Sequence, residues 1–65
     1  GGGVHVRLAV GETVSDGDPL VANGAGDGTV VAQSSEAPGA VIGHAGESLD
    51  LGGASDPAFL KMEAE

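Results

Sequence analysis

The chain has 65 residues and a mass of 6.2 kDa, so it holds one domain at most. Ten Asp and Glu stand against one Lys and one Arg, for a formal net charge of −8, which argues against nucleic-acid phosphates and anionic membrane surfaces as partners, since both are gripped by Lys and Arg. There is no Cys and there are two His, so disulfides are excluded and a closed structural zinc site is not expected. A chain this small buries only about 60% of its unfolded surface, and association with further subunits or a larger surface is the expected remedy.

In chain order, Gly1–Gly3 reads as a flexible lead, whether processed, truncated or simply a lead-in, and residues 4–65 read as a single small β domain. Val4, Val6, Leu8 and Val10 alternate with His5, Arg7 and Ala9, the period of a half-buried strand. His5 and Arg7 then fall on its solvent face. Next comes Val10–Ala22, where two glycine turns bracket Val14 and lead into Leu20, Val21 and Ala22. The chain is expected to reverse twice here, with Val10, Val14 and Leu20 anchored in a core. Asp16 and Asp18 read as turn-capping residues, because the spaced oxygen ligands and closing Glu of a calcium loop are missing.

Asn23–Gly28 is a glycine-rich turn, expected to join Leu20–Ala22 to Thr29–Gln33 as a hairpin. It carries no Gly-Lys-Ser/Thr, so it is no phosphate cradle. Ser34–Gly39 is a loop; its serines sit in no nucleophile elbow. Ala40–Ala45 is a strand in which Gly43 marks a bulge or a close backbone approach, and His44 stands at its end. Glu47–Leu51 is short and extended, with Leu49 and Leu51 on one face. In Ala58–Glu65, Ala58, Leu60, Met62 and Ala64 share one face and Phe59, Lys61, Glu63 and Glu65 the other. Phe59, the lone aromatic on a polar face, is the first candidate for a subunit contact. Short strands cut by Gly, Pro, Asn and Asp predict an all-β fold, a small β-barrel or tulip-like domain. No constellation for acid–base or nucleophilic catalysis stands out, so the chain reads as a non-enzymatic structural or binding module without cofactor or metal.

The stretch Gly11-Glu12-Thr13-Val14-Ser15-Asp16-Gly17-Asp18-Pro19-Leu20 fits the pattern Gly-x-x-Val-x-x-Gly-Asp-x-Leu. Biotinyl and lipoyl carrier domains look similar around their first turn. They carry an acceptor Lys at a mid-domain hairpin tip, whereas the only Lys here is Lys61, near the end of the chain. Over residues 4 to 65 the chain resembles small capsid decoration (cement) proteins of tailed viruses. The resemblance rests on a Val-rich first strand, the pattern above, a Gly turn, the Thr29-Val30-Val31-Ala32 strand, Ile42-Gly43 and the Ala58-Phe59 start of a last strand. It implies a homotrimer on the outer surface of the virion, bound to the major capsid protein and clamping neighbouring subunits. The expected capsid or subunit contacts are Gly1, Gly2, Gly3, Val4, Val6 and Phe59. The Lys-poor, acid-rich composition also resembles that of proteins from halophilic archaea and their viruses. A carrier domain modified at Lys61, or a barrel fragment of a larger enzyme, remain the alternatives.

Overall fold

A computed structural model describes residues 3–65, so Gly1 and Gly2 of the expected lead lie outside the described residues. Seven strands and no helix are present among them: β1 (Gly3–Leu8), β2 (Thr13–Val14), β3 (Pro19–Ala22), β4 (Thr29–Ala32), β5 (Val41–Ala45), β6 (Leu49–Asp50) and β7 (Ala58–Ala64). Five of them close a barrel in the order β1-β4-β3-β5-β7, and β2 and β6 form a two-stranded ribbon beside it. The all-β barrel expected from the strand spacing is therefore the fold. Every pairing in the barrel is antiparallel except β1 with β4, whose parallel partners are Arg7 with Thr29 and Leu8 with Val30.

Alternation fixes the interior. Leu8, Leu20 and Leu60 have no exposed surface, and Val14, Val30, Ala45, Leu51 and Met62 complete one core cluster. A one-residue slip of any of these strands would turn its apolar set outward, so the core pins the register. The total surface is 3702 Å², against roughly 3,700 Å² for a folded monomer of this mass. The chain thus exposes the surface expected of a folded monomer of its size.

The loops are held by their own side chains. Asn23–Gly28 joins β3 to β4 as expected, and the Asn23 backbone N–H donates to the Thr29 carbonyl at 2.9 Å. Thr29, the one buried polar side chain among the described residues, donates to Asp27 Oδ1 (2.6 Å) and accepts from Asn23 Nδ2 (2.9 Å). Those bonds hold the Asp27 carboxyl below the ordinary carboxylate pKa: first the Thr29 hydroxyl, then the Thr29 N–H, with Arg7 adding a minor share. Asp50 is lowered likewise, chiefly by the Gly52 N–H and then by the Thr13 hydroxyl. In the second turn the Ser15 N–H donates to Asp18 Oδ2 (2.9 Å), so Asp18 is a turn cap. Gly17 sits at φ 94°, where a Cβ is disfavoured. Gly43 shows both expected features. Register shifts between Leu20 and Val21 opposite β5, and a Cβ on Gly43 would lie 2.6 Å from the Glu63 carbonyl oxygen.

Three expectations need correction. Val10 is 46% exposed rather than anchored in the core, because β1 stops at Leu8 and the chain turns at Val10–Gly11. Ala9, expected outside, is buried there instead, its N–H donating to the Val30 carbonyl at 3.0 Å. Gly3 is not lead but part of β1, paired with Glu63. Val4 faces the barrel side yet is 44% exposed, because β4 covers β1 only at Arg7 and Leu8 and leaves its first half without a second neighbour.

Candidate interaction surface

The β1–β7 ribbon gathers most of what is chemically distinctive in the chain. Its register sets Gly3 opposite Glu63, His5 opposite Lys61 and Arg7 opposite Phe59. These residues share parity with one another and oppose the buried Leu60 and Met62, so all face outward. The Lys61 backbone turns away from β1: its N–H donates to Glu47 Oε2 (2.8 Å) and its carbonyl accepts from the Gly46 N–H (2.8 Å). His5 and Lys61 are therefore a non-hydrogen-bonded pair, the class in which side chains stand closest, and two-residue periodicity makes Arg7 and Phe59 another. On the far side of β7, His44 pairs with Glu63 in register, and its Nδ1 lies 3.2 Å from Glu65 Oε1.

One continuous outer face of β1, β7 and β5 thus carries the only Arg, the only Lys, both His and the only aromatic of the chain. Phe59 is 67% exposed. Its acids are Glu63 and Glu65, which offset Arg7 and Lys61 in formal charge. The other eight acids lie off these strand positions and carry the formal net charge of −8, although Glu47 borders the face at the Lys61 N–H and Asp27 borders it beside Arg7. Among the described residues neither the Arg7 guanidinium nor the Lys61 ammonium has a carboxylate within 4.0 Å.

The expected contact residues do not form one patch. Phe59 and Gly3 stand on the outer face, whereas Val4 and Val6 are in register with Met62 and Leu60 on the barrel side of the same ribbon. Val6 is half-buried against the core, and only Val4 opens to solvent at the barrel mouth. Lys61 lies within β7, its stem beside Gly46, and not at a hairpin tip. Arg7, His5 and Lys61 belong to the Phe59 surface and were not among the residues expected there. Lys61 shares the parity of Phe59 within β7, whereas that of Arg7 and His5 needs the β1–β7 register, which joins positions more than fifty residues apart.

A second feature is a shallow groove of about 460 Å³ lined by residues that include Glu12, Thr13, Asn23, Ser34 and Glu36. Glu12 Oε1 at its wall already accepts the Ala32 N–H at 3.1 Å. No cluster of three or more His, Cys, Asp or Glu placed to hold a metal ion occurs among the described residues. Comparison with known proteins finds no matching family model, no matching curated protein and no matching solved structure.

Proposed function

We propose that this protein is a non-catalytic decoration module of a virus shell, which binds the outer surface of the major capsid protein as a homo-oligomer, a trimer, and stiffens the shell at subunit junctions. The observation that carries the reading is the outer β1–β7 face: a rigid, charge-balanced strand pair that presents the one aromatic residue, 67% exposed, on an otherwise acidic body. Aromatic and Arg side chains are the usual anchors of protein interfaces, and charge-poor centres are their usual setting. The sequence resemblance across residues 4 to 65 supplies the class of partner. In this reading Phe59 meets a neighbouring subunit, and Val4, with the residues before it, reaches the shell from the uncovered edge of β1. Many copies of a weak contact then sum through multivalency to a large gain in shell stability. The acid-rich surface fits a virus of a host living in concentrated salt, where the repulsion among those acids is screened.

Undecorated shells mixed with the purified protein test this directly. Their resistance to heat and to osmotic shock is expected to rise, with the added protein sedimenting with the particles. Unchanged resistance and no co-sedimentation would overturn the proposal.

A further inference from the structure

The outer row of β7 reads Phe59, Lys61, Glu63, Glu65, with Arg7 beside Phe59 and His5 beside Lys61 on β1. One end of this face is aromatic and cationic, and the other end is acidic. Alternate residues on a strand are about 6.7 Å apart, so the two ends are distinct patches on a single rigid surface. A second copy laid antiparallel across the face, about an axis near Met62, brings Lys61 against the other copy's Glu63 twice over. The same operation sets the Arg7–Phe59 end over the other copy's Glu65. The face is therefore complementary to itself.

Two further observations favour a copy of this chain as the occupant. The Arg7 guanidinium and the Lys61 ammonium have no carboxylate within 4.0 Å among the described residues, in a chain with five acids for each Lys or Arg. The strand positions of this face carry two cations and two acids, so formal charge cancels along them, whereas the chain as a whole is at −8.

We infer that the outer β1–β7 face is a homotypic interface, in which Lys61 and Arg7 of one copy pair with Glu63 and Glu65 of the next around Phe59. This rests on the reading of Phe59 as a subunit contact and adds the charge pairing that gives the contact its direction. The same patch serves both partners, so the contact is isologous and closes in a dimer, and the three copies of the proposed trimer meet through another surface. Glu65 is also held by His44 within its own chain, so Lys61 with Glu63 is the pair that decides.

The test is the mass of the purified protein in solution, by light scattering and native mass spectrometry, with no shells present. The wild type is expected to be a closed oligomer. Lys61→Glu and Glu63→Lys should each weaken association by about tenfold or more, because like charges then face each other. The double variant Lys61→Glu/Glu63→Lys should recover it, since the pairs are merely reversed. Phe59→Ser should also dissociate the assembly. Circular dichroism confirms that each variant keeps its strands; all of the altered side chains are exposed. A monomeric wild type, single reversals that leave the mass unchanged, a double variant that stays dissociated, or an unaffected Phe59→Ser would each overturn the inference. A protein that assembles as described but leaves shells unprotected would overturn the proposed function and leave the interface standing. Protection of shells by a monomer would do the reverse.

Discussion

Single residues set the limits of this barrel in two different ways. At Gly43 the constraint is space: an added Cβ would meet the Glu63 carbonyl oxygen at 2.6 Å and Met62 Sδ at 2.7 Å. Backbone cannot yield as a flexible side chain does, so Gly43→Ala should cost about 2–3 kcal/mol, the upper range of overpacking. A 65-residue domain has only about 3–10 kcal/mol to lose. Thermal unfolding should therefore shift down by roughly 10 °C or more, and a smaller shift would mean that β5 and β7 part easily. At Asp27 the constraint is a proton. Its carboxylate accepts from the Thr29 hydroxyl and N–H, and its pKa is held down by those bonds. A group whose folded pKa is depressed contributes stability above its unfolded pKa and loses it as pH falls through the folded one. The window therefore lies below about pH 4. Asp27→Asn keeps an oxygen acceptor and removes the titration. Acid unfolding followed by circular dichroism should be less steep in that variant, and an unchanged profile would show that the bonds to Thr29 do not stabilise the fold.

At the scale of elements, the strands were largely legible in the sequence because the side-chain period is short and local. The β3–β4 hairpin, the inward face of β7 and the close approach at Gly43 all follow from patterns confined to one short stretch of chain each. What could not be read is long in range. Val10 looks like one more member of the β1 alternation, but β1 loses its parallel partner beyond Val30 and the chain turns away. Glu12 reads as a turn residue, yet its carboxylate serves as the missing strand. It accepts the Ala32 N–H at 3.1 Å on the side of β4 where β1 has already ended, and its own carbonyl accepts from the Leu51 N–H at 2.8 Å. Glu12→Ala should leave the Ala32 donor unpartnered and cost about 1–3 kcal/mol, while Glu12→Gln should restore most of that. Denaturant titration of the two variants separates the loss of an acceptor from the loss of a charge. The candidate surface was half legible for the same reason. Phe59 stood out by parity alone, whereas Arg7 and His5 joined it only through a register spanning nearly the whole chain.

At the scale of the molecule, charge and shape are arranged against each other. None of the ten acids is buried, and eight of them surround a face where the formal charges cancel. Added salt should therefore act twice, screening the repulsion among the acids while weakening any pairing through Lys61 and Glu63. The melting temperature of the isolated protein is expected to rise from low salt into molar salt, by scanning calorimetry. Indifference to salt would count against adaptation to a saline host. The core itself is modest in side-chain size, with Leu and Val where larger domains add aromatics, yet the surface left exposed is what a well-folded chain of this mass should show.

The pairing of Gly3 with Glu63 has a topological side. The domain is entered and left at one point on its rim, with the two ends of the described chain side by side. Joining them by a short linker should therefore cost little, and new ends could be opened in the exposed Gly24–Gly28 tip without cutting a strand. Such a circular permutant would keep every strand neighbour. By the same geometry the barrel could be set as a cassette into a surface loop of an unrelated host, displayed there without spreading the host's backbone apart.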